Sequence, residues 1–257
     1  MEDIKGLKDI YELILSADYI EPDTSSSSTL IIPIYDITAE EFLDFAKNSI
    51  TTETKEGTIN AVSNLKRALD CEMDLFFESI NIKKFFDKHN LKFETKSKFL
   101  SDIGLFPVYS INKLNKMRNK LEHEYKIPPI SDLYTYYELV WNIVKIIDLQ
   151  LELLYTNGEI NMTLYTGKYH YYFEIKHEIE HCGFQIKITD WDKRPYPQTK
   201  ALEIYLKTKE NTKEFINAFK FYLLTIKYYN YGNVNLYKNK VNDLINKLNQ
   251  KEDLWKG

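Results

Sequence analysis

"YHYYFEIK", residues 169–176, is where the chain changes its period. Tyr169, Tyr171, Phe173 and Ile175 alternate with His170, Tyr172, Glu174 and Lys176. A repeat of two marks a strand with one covered face, and it assigns Tyr169 and Tyr171 to the core. "GFQIKIT" repeats the pattern with Phe184, Ile186 and Ile188, and "ALEIYLK" with Leu202, Ile204 and Leu206. Together with "EINMTLY" these make about four strands, expected as one antiparallel sheet. Two amphipathic helices, roughly 211–230 and 235–250, follow it. The C-terminal part, 157–257, is therefore expected as a small α+β domain.

Upstream of Gly158 the period is helical. Ile59, Val62, Leu65, Leu69, Met73, Phe76 and Ile80 recur at spacings of three and four, which predicts a long helix near 55–80. "TAEEFLDFAKNSI" opens with Thr38 followed by Glu41, the spacing of a capping box. A short helix is expected near 95–103 after a lysine-rich connector. Ser131 is expected to cap a last long helix ending at "TNGE". Residues 38–156 thus read as an antiparallel helical bundle with short connections. Residues 1–37 read as an N-terminal helix (4–16), a polar loop and a short extended piece.

The 257 residues, 44% hydrophobic and 28% charged, allow for a sizeable core. A formal net charge of -4 argues against a protein that coats nucleic acid by bulk charge, though not against a local basic patch. Cys71 and Cys182 have no partner spacing and "MEDIKGLKDIYELIL" is not a signal peptide, so a reducing, cytoplasmic setting without disulfides is expected. No apolar run approaches a membrane span. Arginine is scarce, three against 31 lysines. In such a chain an arginine tends to stand where lysine would not serve.

One of the three lies in "NKLNKMRNKLEHEYKIPP", residues 112–129. Ile111, Leu114, Met117, Leu121 and Tyr125 form an apolar stripe, Ser110 is placed to cap the helix, and Pro128 and Pro129 stop it. Around the rest run Lys113, Lys116, Arg118, Asn119, Lys120, Glu122 and His123. Asn119 and His123 are four apart and neighbours on one face, and the long Arg118 side chain reaches toward the same groove. A cation, an amide and an imidazole together suit RNA cleavage. The 2′-hydroxyl attacks the adjacent phosphorus, which needs a base for its proton and an acid for the leaving 5′-oxygen. Histidine, with an ordinary pKa of about 6.5, serves either step. A fixed guanidinium matches the charge that builds on the phosphorane oxygens. One histidine cannot easily do both jobs at once, so two copies facing each other across a two-fold axis are expected. No metal or other cofactor is required.

"RNKLEH", Arg118–His123, fits the R-x4–6-H motif of the HEPN superfamily, including the polar residue directly after the arginine, here Asn119. The resemblance covers roughly residues 40–156. It implies a small all-helical bundle with the motif on a late helix, and a metal-independent endoribonuclease acting as a homodimer, of the kind found in toxin–antitoxin, abortive-infection and other antiphage systems. It implies Arg118, His123 and Asn119 as catalytic residues. "HEY" also resembles the variant motif of HEPN toxins paired with nucleotidyltransferase antitoxins, in which the tyrosine is modified with AMP; Tyr125 stands at that position, and Glu122 beside the site. Lys116 and Lys120 are expected to bind the RNA substrate, with an antitoxin or regulatory protein as a further partner. The chain departs from those toxins by its N-terminal extension and its α+β domain.

Other stretches compete for a role. "HEIEHC" brings His177, His181 and Cys182 close in sequence, but without a second ligand pair a polar hairpin connection is the better reading. The lysines and phenylalanines of "KKFFDKHNLKFETKSK" fit a single-strand-binding surface, and equally helices that bury Phe85, Phe86 and Phe93. A tyrosine-rich sheet could present aromatics to bases. The rival from another class is a non-catalytic HEPN-like dimerisation or ligand-sensing module that scaffolds a partner.

Overall fold

The computed structural model describes residues 4–167, 169–193 and 195–248. The chain forms two compact units, one of residues 1–30 with 153–257 and one of residues 31–152. Among the described residues no helix is long and apolar enough to cross a membrane.

The helical unit opens with α2 (Ala39–Thr51), following α1 (Leu7–Ser16) of the other unit. Its start follows from sequence alone. The Thr38 hydroxyl accepts from Glu41 N at 3.2 Å, and the Glu41 carboxylate accepts from Thr38 N at 2.9 Å, so two orphan donors are satisfied reciprocally. α3 (Lys55–Ser79) packs closely along α2. It buries Val62, Leu65, Leu69, Met73 and Phe76 completely, each contributing roughly 1.5–3 kcal/mol over exposure. Ile59, expected on that stripe, is exposed, and in this turn Gly57 and Thr58 are the buried residues instead.

The lysine-rich connector folds as two short helices, α4 (Lys83–Lys88) and α5 (Phe93–Asp102). Phe77, Phe86 and Phe99 pack ring on ring at 4.5–5.6 Å. Of the connector's six lysines, Lys83 pairs with Glu78, Lys96 with Asp74 and Lys98 with Asp102, while Lys84, Lys88 and Lys92 are exposed.

α6 (Tyr109–Glu124) and α7 (Ile130–Thr156) follow. α6 begins one residue before Ser110, with Val108 at its N-cap. The side chains of Ser110 and Ser131, expected as caps, lie outside the described residues. Leu121 joins Ile50, Ala61, Val62 and Leu133 in one cluster, with Met117 against it. Tyr125 does not continue the stripe. Its φ of 55° ends the helix in a left-handed turn that swings the ring into solvent, 85% exposed, ahead of Pro128–Pro129.

The other unit is α+β. Its sheet has five strands in the order β1 (Tyr19–Ser26), β2 (Glu159–Thr166), β3 (Tyr169–Glu178), β4 (Gly183–Asp190) and β5 (Gln198–Tyr205), every neighbouring pair antiparallel. The fifth strand, β1, comes from "YIEPDTSS", which the sequence had placed in a polar loop. The short extended piece expected after that loop is not found: residues 27–35 form no strand. β1 is an edge strand with a bulge between Pro22 and Ser25, where a proline costs the ladder little. α8 (Thr212–Tyr231) lies across one face, Phe215, Phe219 and Tyr222 surrounding Phe184 at 5.3–5.5 Å. α1 packs against α9 (Val234–Leu248); residues 249–250 of the expected last helix lie outside the described residues.

Alternation holds along β3 from Phe173 to His177, but Tyr169, expected in the core, is 56% exposed. It begins the strand, and its ring stacks on Tyr171 at 6.4 Å instead. The open face of the sheet carries Glu21, Glu159, Glu174 and Glu203 against Lys176 and Lys187, with Lys187 bonded to Glu174 at 2.6 Å. That balance opposes a phosphate backbone.

"HEIEHC" is the β3–β4 connection, a single 3₁₀ turn over Ile179–His181. His177 is fully buried against Phe184 at 4.9 Å, whereas His181 is exposed. Burial pushes the His177 imidazole down to about 3. Among the described residues no cluster of histidine, cysteine or carboxylate side chains is placed to hold a metal ion.

Candidate functional site

The residues singled out by sequence all lie on α6 or just after it. A helix turns about 100° per residue, so Lys116, Asn119, Lys120 and His123, at steps of three and four, line up on one stripe. Lys116, Lys120 and His123 are exposed and Asn119 is half-buried. His123, Lys116 and Lys120 make no ion pair among the described residues. The imidazole therefore stands in solvent with two ammonium groups on its own stripe.

Arg118 is elsewhere. It is five residues before His123, about 140° away around the helix, and half-buried beside the core stripe. Its Nε lies 2.6 Å from Glu122 Oε1, one turn on, and its Nη1 donates to Asn119 Oδ1 at 3.3 Å. A single copy of the chain thus joins Arg118 to Glu122 and Asn119, and His123 to the lysines, without bringing Arg118 and His123 together. Tyr125 is set apart from both by its left-handed turn.

Residues that sequence reasoning passed over lie close by. A groove of about 320 Å³ runs between α6 and the start of α7, lined by Lys113, Lys116, Lys120, Lys126, Asp132 and Tyr136, with Lys126 bonded to Glu124 at 2.6 Å. Lys113 to Lys120 spans about 10 Å along the helix axis. The spacing of Lys113, Lys116 and Lys120 was visible in the sequence; the contribution of Lys126 and Tyr136, from beyond the helix end, was not. Behind Arg118, Lys66 sits over the Phe93 ring at 3.7 Å and pairs with Asp70 at 2.6 Å. Burial lowers the Lys66 pKa, Asp70 opposes that shift, and the Arg118 charge lowers it further. Asn115, beside Arg118's base, donates to Glu94 at 2.7 Å.

The arrangement offers an exposed imidazole, a lysine-lined groove and a half-buried guanidinium held by Glu122 and Asn119. It can bind a polyanion along α6 and move a proton at His123. Comparison with protein-family models, curated proteins and solved structures finds no match to this chain.

Proposed function

We propose that the chain is a metal-independent endoribonuclease of HEPN type, acting as a homodimer and serving as a toxin or antiphage effector. The observation that carries this reading is the stripe of Lys116, Asn119, Lys120 and His123, an unpaired imidazole among ammonium groups beside a basic groove. RNA would follow the groove, its phosphates against Lys116 and Lys120. One His123 takes the 2′-hydroxyl proton as the oxygen attacks phosphorus. The P–O5′ bond breaks, leaving a 2′,3′-cyclic phosphate, and the second copy's histidine gives its proton to the departing 5′-oxygen. Arg118 exchanges Glu122 for the phosphorane oxygens, and Asn119 orients the phosphate. Since Arg118 and His123 diverge on one helix, a second α6 facing the first is the simplest way to place both on one phosphate.

The Arg118–Glu122 pair favours a second reading, a non-catalytic dimerisation or ligand-sensing module in which Arg118 serves only its own helix. Controlled expression of the wild type and His123→Ala in bacteria separates the two. Growth arrest with new RNA ends in the wild type alone supports the nuclease; equal growth and intact RNA in both supports the module.

A further inference from the structure

The helical unit contains a second cavity, of about 290 Å³, formed by α2, α3, α7 and the segment before α2. Its walls are apolar, with Ile32, Pro33 and Leu75, and its polar end gathers three carboxyl groups, Glu40, Glu72 and Asp148. Glu72 is only 3% exposed, and its Oε1 has no hydrogen-bond partner. Lys145 is paired with this end, bonded to Glu40 and 3.7 Å from Asp148, and Lys83 lies over the Tyr35 ring at 5.9 Å. A buried carboxyl oxygen without a donor is costly, so Glu72 Oε1 has acceptor capacity that the protein leaves unfilled.

We propose that this cavity binds a small organic cation, a primary ammonium or guanidinium on a short aliphatic stem, whose N–H groups bond Glu72 and Asp148 while the stem lies on Ile32, Pro33 and Leu75. Three observations select that class. Three carboxyl groups line the cavity, and no lysine or arginine is among its lining residues. The described residues hold no cluster placed for a metal ion, so donors on nitrogen fit better than a bare cation. The volume lies at the small end of ligand pockets, and its walls suit a few methylene groups. The inference stands apart from the ribonuclease reading, because it uses none of the residues of α6.

The empty site keeps its balance with a proton. Burial and the neighbouring Asp148 carboxylate hold Glu72 well above the usual carboxylate range, so near neutral pH it is protonated and bonded to Asp148. Burial also raises Asp148, while Lys145 opposes that shift. Cys71 and Tyr35, also lining the cavity, are pushed up to about 11 and about 12 and stay neutral. An incoming cation therefore replaces the Glu72 proton, which leaves to the buffer, and the charge of the cavity is conserved.

Isothermal titration of the full chain with agmatine and with 1,4-diaminobutane at pH 7 tests this, run in phosphate and in Tris at matched ionic strength. Saturable one-to-one binding is expected, with heats that differ between the buffers as proton release requires. Glu72→Gln should weaken binding at least tenfold while the circular dichroism melt is retained. Ile32→Trp, at an exposed wall position, should fill the cavity and weaken binding similarly, and it serves if the Glu72 variant fails to fold. No saturable binding by the wild type, or binding unchanged in a folded Glu72→Gln or Ile32→Trp chain, overturns the proposal.

Discussion

Arg118 and Glu122 form a one-turn ion pair with both side chains a little over one-third exposed. Such pairs contribute a few tenths of a kcal/mol, because water screens both groups and ordering them costs entropy. Glu122→Gln should therefore change stability by less than about 0.5 kcal/mol. In the proposed nuclease it should raise kcat/KM several-fold, since Arg118 no longer has to leave a carboxylate; single-turnover cleavage of a short RNA reads this, and a loss of activity would make Glu122 an orienting residue instead. His177 gives a second prediction. Its native imidazole lies below the ordinary value of about 6.5, at about 3, because burial penalises the cation. The neutral form's stability is fully present above about pH 6.5 and is lost as pH falls toward 3. Acid denaturation midpoints should show that limb in the wild type and its loss in His177→Phe, which keeps a ring against Phe184. Neither burial was legible beforehand. His177 occupies an inward position of β3, and Glu72 lies between Leu69 and Phe76 within the apolar stripe of α3. Each was a polar letter in a pattern read for its apolar ones.

At the scale of elements, local signals translated well. The capping box started α2, the three-and-four spacing produced α3, and the proline pair lay just beyond the end of α6. What failed depended on partners distant in sequence. β1 has little alternation of its own; β2, some 140 residues away, supplies its ladder, from Tyr19 opposite Tyr165 to Ser26 opposite Glu159. Tyr169 alternated correctly but sits at the start of β3 in the open. On α6 the helix itself was legible, whereas the direction of Arg118 was not, because a flexible side chain takes whichever acid is nearest. The α6 lysines carry a prediction at this scale. If they bind backbone phosphates, Lys116→Gln with Lys120→Gln should reduce the slope of log affinity against log salt by about 1.4, at about 0.7 per phosphate contact on a single strand. Fluorescence anisotropy with a labelled oligonucleotide measures it. An unchanged slope would move the RNA path off this groove.

At the scale of the whole molecule, the chain joins two units of different construction: a helical one that carries the candidate site, and an α+β one into which the N-terminal residues 1–30 are folded. The segment 1–37, read as a helix, a polar loop and an extended piece, is divided between the units: β1 supplies a sheet edge, while residues 31–37 belong with the helices. The division of chemistry is as marked. The exposed imidazole, the basic groove and the carboxyl-lined cavity all belong to the helical unit, while the sheet's open face is acidic and internally paired. The proposed ribonuclease site, built by two copies of α6 around His123, is probed with the purified chain and a defined RNA in excess EDTA, the product ends being identified by mass spectrometry. The expected result is 2′,3′-cyclic phosphate and 5′-hydroxyl ends from the wild type and intact RNA with His123→Ala. RNA left whole by the wild type, or cut equally by the His123 variant, would contradict it.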